Sequence, residues 1–258
     1  MLVRQMKKFI INKNIYKLLG IVLFIILWQV ISMIIDEDIF ILPGPYTTLI
    51  AAIKMASDTY IYKCLYQTLI RMIGGFVISF VLAFILGVIA GNDNRIEELI
   101  KPTMTIFRSI PTATLVYLFL VVIGAKLTPM FIVILVSFPI LYESVLGGIK
   151  STPREILEAA NMDTSSLLSI NYYIRIPLAF PYIIVGIASS FALSLKIEIM
   201  AEVITGFTRL GLGSAILAAQ RSDPTNMVPV FAYSMFAIVL MLLFDILANK
   251  IKDKIGVV

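Results

Sequence analysis

Residues 18–35 read LLGIVLFIILWQVISMII, a run of apolar residues without a single charged side chain. A helix of this length nearly spans the hydrocarbon core of a bilayer, which is about 30 Å thick. The run is too long for the apolar region of a secretory signal, and no small-x-small cleavage site follows Ile35. It is therefore predicted to be a retained transmembrane helix. A basic stretch precedes it and contains no acid: Arg4, Lys7, Lys8, Lys13 and Lys17.

The composition extends this conclusion to the whole chain. Of its 258 residues, 60% are hydrophobic and only 14% are charged, and the mean hydropathy is +0.98. Ordinary soluble domains have about 45–50% apolar and about 25% charged residues. We therefore predict an all-α integral membrane protein with a single transmembrane domain over residues 1–258. Within it, residues 1–60 form the amino-terminal span and an outer loop, and residues 61–254 form the core.

Windows of about 20 residues, the length needed to cross a bilayer, predict five further spans. They lie at about 68–91, 103–124, 129–149, 177–200 and 228–249. Residues 125–128 leave room only for a tight helical hairpin between the third and fourth spans. Six spans place both ends of the chain on the same side of the membrane.

The charges predict which side that is. Most of the 21 basic residues lie in segments on the amino-terminal side, whereas Asp36, Glu37, Asp38 and Asp58 gather opposite. By the positive-inside rule, both termini are cytoplasmic. The net charge of +5 is thus an orientation signal, with weak attraction to anionic lipid. Basic and aromatic residues do not alternate as in proteins that stack nucleic-acid bases, so no nucleic-acid partner is predicted.

The chemistry of an enzyme is largely excluded. The chain has no histidine and a single cysteine, Cys64, which removes the usual general base, the usual zinc ligands and any internal disulfide. Cys64 is predicted to be a small apolar core residue. No G-x4-G-K-[ST] loop occurs, so the chain does not bind ATP by that route. No catalytic residue, metal or cofactor is predicted.

The longest cytoplasmic loop, residues 151–177, reads STPREILEAANMDTSSLLSINYYIRIP. Thr152 and Glu155 have the spacing of a capping box, with Pro153 at the first helical position, so a short helix is predicted to begin there and end near residue 162. Asp163 is predicted to cap a second short helix that ends near residue 173.

This helix pair has two interpretations. Glu158 offers a charge to a partner, and the small residues Ala159 and Ala160 allow another backbone to approach, so the loop suits docking of a second protein. The alternative is an interfacial helix pair that lies on the lipid headgroups.

The sequence of the loop also resembles a known motif. Glu158-Ala159-Ala160, Thr164 and Ile174-Arg175-Ile176-Pro177 follow the spacing of the EAA motif, E-A-A-x3-G-x9-I-x-L-P, in membrane subunits of bacterial ATP-binding-cassette importers. Thr164 stands where that family has glycine, and Ile176 where it has leucine.

Three further segments share this resemblance and are most similar to the nitrate, sulfonate and taurine branch of these permeases. Leu42-Pro43-Gly44-Pro45 resembles the outer L-P-x-P turn, and Arg108-Ser109-Ile110-Pro111 resembles R-x-I-P. Ala201-Glu202, Gly206 and Gly211-Leu212-Gly213 resemble the A-E…G…G-L-G stretch.

The resemblance implies a type I importer permease fold in the bacterial inner membrane. It implies that the loop docks an ATPase subunit through Glu158, Ala159, Ala160, Thr164, Ile174 and Pro177. The other implied partners are a second copy of the chain and an external solute-binding protein, and ATP is bound by the ATPase subunits. The implied solute is a small anion such as a sulfonate, taurine or nitrate. Import of a pyrimidine or another vitamin-like solute stays open, and an ion-coupled carrier or channel is disfavoured because the two halves do not repeat.

Ionisable residues within spans cost at least a few kcal/mol and are therefore candidates for the pathway. Lys196 and Glu198 lie late in the fifth span, and Glu202 lies just beyond it. Two interpretations of Lys196 stay open: it forms an ion pair or snorkels to the outer surface, or it lines the pathway, where it could attract an anion. Gly211 and Gly213 predict an irregular segment along the outer mouth, which is stable only where protein or water covers it.

Two other patterns are predicted to serve packing alone. Gly87 and Gly91 form a GxxxG pattern that permits close helix contact. Glu143 and Asp245 lie near the cytoplasmic ends of their spans and are predicted to be interhelical pairs or interfacial charges.

Overall fold

The computed structural model describes residues 13–35, 42–164, 166–206 and 210–255. All regular structure within these ranges is helical, as predicted. The basic residues Arg4, Lys7 and Lys8 and the acids Asp36, Glu37 and Asp38 lie outside the described residues. The helices are α1 (Lys13–Ile35), α2 (Pro45–Ala56), α3 (Thr59–Asn92), α4 (Asn94–Ser109), α5 (Thr112–Ile123), α6 (Thr128–Lys150), α7 (Arg154–Asp163), α8 (Leu167–Ile170), a π-helical turn (Asn171–Arg175), α9 (Ile176–Thr205), α10 (Leu212–Ser222) and α11 (Val228–Ile255).

Five helical segments of the described chain are long and apolar enough to cross a membrane. The third span, predicted over about 103–124, is not a single helix, because α4 and α5 meet there at an angle of 97°. Pro111 disfavours helical backbone at the residue before it, and Ile110 is extended, with φ −77° and ψ 127°. Counted as one broken span, the pair raises the number of crossings to six. The tight hairpin is confirmed, since α5 ends at Ile123 and α6 begins at Thr128.

Two other spans extend beyond their predicted limits. The second begins at Thr59 rather than near residue 68. The fifth does not begin at Pro177, because helix continues from Leu167 through the π-helical turn to Thr205. Pro177 follows directly after the π-helical turn, in which the Ile176 amide donates to the Asn171 carbonyl, and the helix continues past the proline.

The chain divides into two compact units, and the larger comprises Thr59–Leu217 with Phe236–Val258. Its core is formed by α3, α6 and α9. A Cβ atom on Gly87 would lie 2.8 Å from the side chain of Val145, and one on Gly91 would lie 2.5 Å from Ile149. Glycine therefore permits the close approach of α3 and α6, which confirms the packing role predicted for this pair.

The smaller unit contains α1, α2 and residues Ala218–Met235. The proline turn before α2 is held by α1: Trp28 Nε1 donates to the Pro43 carbonyl at 3.0 Å and Ser32 Oγ to the Leu42 carbonyl at 2.7 Å. α2 buries Thr48 and Ala52, which lie one turn apart. The L-P-x-P resemblance at residues 42–45 thus coincides with a turn that hydrogen bonds from α1 hold in place.

Candidate functional site

The first helix of the loop over residues 151–177 does not have the predicted N-cap. Pro153 is the residue before α7 and no side chain caps the helix. The Thr152 hydroxyl instead donates to the Ile149 carbonyl at 3.1 Å. The predicted capping box is therefore wrong. Because α6 ends only at Lys150, Thr152 lies close enough to satisfy one of the free carbonyls at the end of that helix.

The bend between the two helices of the loop centres on Thr164. Its backbone is extended, with φ −153° and ψ 140°, a conformation that suits a β-branched residue. Asp163 is the last residue of α7, so its predicted role as the next N-cap is wrong. Ser166 takes that role, and its hydroxyl accepts from the Ser169 amide at 3.4 Å. The bend thus forms without the positive φ that glycine would provide.

The loop exposes a row of large apolar side chains. Their exposed fractions are 88% for Met162, 83% for Leu168 and 74% for Tyr173, and Leu167 and Tyr172 are also exposed. Exposed apolar patches mark surfaces that bind protein or membrane. We call the loop, residues 151–177, the docking loop.

The docking loop displays the EAA residues unequally. Glu158 and Ala159 are exposed, whereas Ala160 is buried against its own chain. Thr164 and Ile174 are half-buried, and Pro177 is exposed. In this chain, therefore, only some of the motif residues are exposed and could contact another protein.

A guanidinium fastens the end of the docking loop to α3. Arg175 Nη1 donates to Asn92 Oδ1 at 2.6 Å and to the Gly91 carbonyl at 3.3 Å. The sequence placed Arg175 within the motif but gave no indication of this partner, which lies more than 80 residues earlier. The loop and the end of α3 are thus connected directly.

At the other end of α9, the Glu202 carboxylate accepts hydrogen bonds from three donors, two on α3 and one on α10. Thr68 Oγ1 donates to it at 2.9 Å, Arg71 Nη1 at 2.7 Å and the Gly213 amide at 2.8 Å. Arg71 also donates to the Leu210 carbonyl. Glu202 is fully buried, so its charge is compensated by Arg71 and these donors rather than by water. We call these residues the Glu202 cluster.

The two glycines of G-L-G make room for this cluster. A Cβ atom on Gly211 would lie 2.6 Å from the Glu202 carboxylate, and one on Gly213 would lie 2.3 Å from the Ile199 carbonyl. Gly206 ends α9 in the left-handed region, with φ +63°. Residues 207–209, which the predicted irregular segment includes, lie outside the described residues.

The other two ionisable residues of the fifth span point in different directions. Lys196 is exposed, whereas Glu198 is fully buried. Within the described part of the chain, neither carboxylate oxygen of Glu198 has a hydrogen-bond partner. Residues that are two positions apart on a helix point to different sides, and this explains why Lys196 is exposed while Glu198 is buried.

A cavity of about 400 Å³ lies between α4 and α6. Arg108 Nη1 contacts Glu143 at 2.7 Å, and Lys150 pairs with Glu97. The interhelical pair predicted for Glu143 is confirmed. The acidic residues of this cavity are thus already neutralised within the chain.

Comparison with known proteins gives consistent results. A family described as "Binding-protein-dependent transport system inner membrane component" matches residues 83–257. The riboflavin transport system permease protein RibX of Chloroflexus aurantiacus is 30% identical over 78% of this chain and 74% of its own length. A Bacillus subtilis protein with the provisional name aliphatic sulfonates transport permease protein SsuC is 23% identical, over 79% of this chain and 74% of that protein.

The crystal structure of an amino acid ABC transporter has a similar fold, with a TM-score of 0.64. It is 18% identical in sequence, and the match covers 80% of this chain and 97% of that one.

Proposed function

The chain belongs to the binding-protein-dependent transport system inner membrane components and is the permease subunit of an ATP-binding-cassette importer; on that premise we propose that the docking loop seats the ATPase subunit. The protein is a transporter subunit and not an enzyme, and ATP is hydrolysed by a separate subunit. The observation that carries the proposal is the exposure of Glu158 together with apolar side chains such as Met162 and Leu168 on one loop.

The exposed row supports a protein partner over a lipid surface. The motif residue Glu158 lies on the same short helix as Met162, one turn away, and both are exposed. An acid among apolar residues is unfavourable at an anionic headgroup surface but suits a basic residue of a partner protein. We place the docking loop and both termini on the cytoplasmic side, because the basic residues of the sequence cluster there.

The docking proposal is tested by Glu158→Lys and Met162→Asp in the full chain, expressed with the ATPase. We expect the amount of ATPase that co-purifies to fall about tenfold or more, as for central interface residues. Lys126→Glu, at an exposed position between α5 and α6, is the matched charge reversal and should co-purify normally. If Glu158→Lys retains both ATPase attachment and transport, the docking assignment is wrong.

We further propose that two copies of this chain line one pathway and that an external solute-binding protein delivers the solute. The support is the family: its members depend on binding proteins, and the motif resemblance implies a second copy of the chain. Cross-linking of the purified assembly would give a dimer of this chain with two ATPase subunits; a single permease copy per assembly would contradict the proposal.

For the solute, we propose a small anion such as a sulfonate, taurine or nitrate. The support is Lys196, a cation exposed on a membrane-spanning helix, and the similarity to the sulfonate permease relative. A vitamin-like heteroaromatic solute is the second candidate, favoured by the 30% identity with the riboflavin permease. The positive charge of Lys196 should affect uptake of an anion but not uptake of a vitamin-like heteroaromatic solute.

The two solutes are separated by a ligand screen of the binding protein encoded beside this chain, with taurine, nitrate, riboflavin and a pyrimidine. Anion binding is expected, and Lys196→Gln should then reduce anion uptake about tenfold while Lys196→Arg preserves it. A binding protein that accepts only compounds without a sulfonate, nitrate or other anionic group would rule out the proposed solute class and the role of Lys196.

A further inference from the structure

One helical path connects the docking loop to the far end of the fifth span. Helix runs from Leu167 through the π-helical turn and α9 to Thr205 without a break. At about 1.5 Å per residue, roughly 50 Å separate its first turn from Glu202. A displacement of the loop is therefore carried along one element to the opposite side of the membrane.

This element is fastened to α3 at both ends. Near the docking loop, Arg175 bonds to Asn92 in the last turn of α3. At the far end, Glu202 bonds to Thr68 and Arg71 of the same helix. Sliding of α9 along α3 would break both connections, so the two helices are expected to move as one body.

The Glu202 cluster adds a third segment to this body. The Gly213 amide donates to Glu202, and the Leu212 amide donates to Thr68 Oγ1 at 2.8 Å. Both amides belong to the first turn of α10, where no intrahelical acceptor exists. Arg71 holds the preceding Leu210 carbonyl. Each of these hydrogen bonds to residues 210–213 is therefore made by Glu202 or by Thr68 or Arg71, which are bonded to Glu202.

We propose that Glu202 is a positioning residue of the transport cycle, which fastens residues 210–213 to the far ends of α3 and α9 so that movement of the docking loop reaches the outer mouth of the pathway. The proposal rests on the proposed function for the solute and for the ATPase subunit. The hydrogen bonds of the Glu202 cluster, however, are a property of this chain alone. It assigns Glu202, Gly211 and Gly213 to transmission of movement, whereas the sequence suggested a position on the solute path.

The alternatives make different predictions. If Glu202 contacted solute, its replacement would change the half-saturating concentration of loaded binding protein or the choice of solute. If Glu202 only stabilised the fold, uptake would fall in proportion to the amount of assembled transporter. A transmitting residue instead lowers the maximal rate per assembled transporter.

The test uses the assembled importer in proteoliposomes, with Glu202→Ala and Glu202→Gln. In Glu202→Ala, ATPase subunits should still co-purify and basal ATP hydrolysis should persist. Uptake per transporter, and the stimulation of ATP hydrolysis by loaded binding protein, should each fall about tenfold or more. The half-saturating concentration should not change. Glu202→Gln keeps an acceptor for the Gly213 amide but loses the charge opposite Arg71, and should be intermediate.

A second measurement follows the fastening itself and does not depend on transport. Hydrogen exchange at the Leu212 and Gly213 amides should accelerate about tenfold or more in Glu202→Ala, while exchange in the docking loop is unchanged. Ser190→Ala is the matched control, because Ser190 is equally buried on α9 but bonds only to carbonyls of its own helix. It should leave uptake and exchange at both amides as in the parent.

Three results would overturn the proposal: unchanged exchange and uptake in Glu202→Ala, a loss of uptake that matches the loss of assembled protein, or a changed half-saturating concentration with an unchanged maximal rate. If the unmodified chain binds no ATPase, the proposed function fails instead. The exchange measurement on the chain then still decides whether Glu202 fastens residues 210–213.

Discussion

Replacing Gly186 by alanine should separate α6 from α9, and the structure indicates by how much. A Cβ atom on Gly186 would lie 2.3 Å from both Cβ and Oγ of Ser144, whereas ordinary contacts are 3.4–4 Å. The Ser144 hydroxyl can rotate away, but its Cβ cannot. The helices would therefore have to move apart by about 1 Å, in a core that is packed throughout.

The free-energy change can be worked from these contacts. Overpacking costs about 1–3 kcal/mol, and contact with a Cβ atom places Gly186→Ala near 3. Because alanine favours the helix by about 1 kcal/mol relative to glycine, the net destabilisation is about 2 kcal/mol. Ser144→Gly costs about 0.5 kcal/mol alone. In the double variant the nearest remaining atom is the Ser144 Cα at 3.9 Å, an ordinary contact, so stability should return to about that of the parent.

The assay is reversible unfolding in mixed micelles, with SDS as denaturant, for the parent, both single variants and the double variant. We expect a coupling free energy of about 3 kcal/mol in favour of the double variant. Gly147→Ala is the control on α6, because beyond its own stretch of helix no atom of the described residues lies within 4 Å of its Cβ position, and it should stabilise by up to about 1 kcal/mol. If Gly186→Ala is as stable as Gly147→Ala, or if the double variant is no more stable than Gly186→Ala, the packing argument is refuted.

Two further predictions concern hydrogen bonds. Ser137 and Ser194 join α6 to α9 at 2.7 Å. A double-mutant cycle with Ser137→Ala and Ser194→Ala should give a coupling of about 0.6 kcal/mol, the average for such bonds in membranes, and a coupling near zero would contradict the bond. Hydrogen bonds from the hydroxyl of Thr225, and then from its amide, lower the pKa of the exposed Asp223 carboxyl, so Thr225→Val should raise that pKa toward its ordinary value. Because the folded-state pKa is the lower one, this stabilisation is present above the unfolded pKa and is lost as the pH falls through the folded pKa. Carboxyl NMR titration measures the shift, and an unchanged Asp223 would contradict it.

The membrane spans were predictable because the decision is local. A run such as 18–35 must satisfy its backbone within itself in lipid, and so helix follows from composition alone. The error over 103–124 was also local in origin. Pro111 was visible in the sequence, but apolar residues continue across it, and a hydropathy window does not register the constraint on Ile110.

The docking loop was predicted at the level of its motif but not of its caps. Thr152, Asp163 and Ser166 all carry side chains that can cap a helix. Which of them does so depends on how far α6 and α7 extend, and this in turn depends on packing. The motif spacing does not depend on which hydroxyl caps each helix, but it did not predict that Ala160 would be buried while Glu158 and Ala159 are exposed.

By itself, the sequence determined that this protein lies in a membrane, where its membrane-length apolar runs lie, and which loop resembles a docking motif. These properties depend on runs of residues that are contiguous in the chain. Only the tertiary structure decided that Glu202 is fastened to Thr68 and Arg71, more than 130 residues earlier, and that Glu198 is buried while Lys196 is exposed. A charge inside a membrane must find a partner, but any of several helices could provide it, and only the packing of α3 against α9 selects which one does.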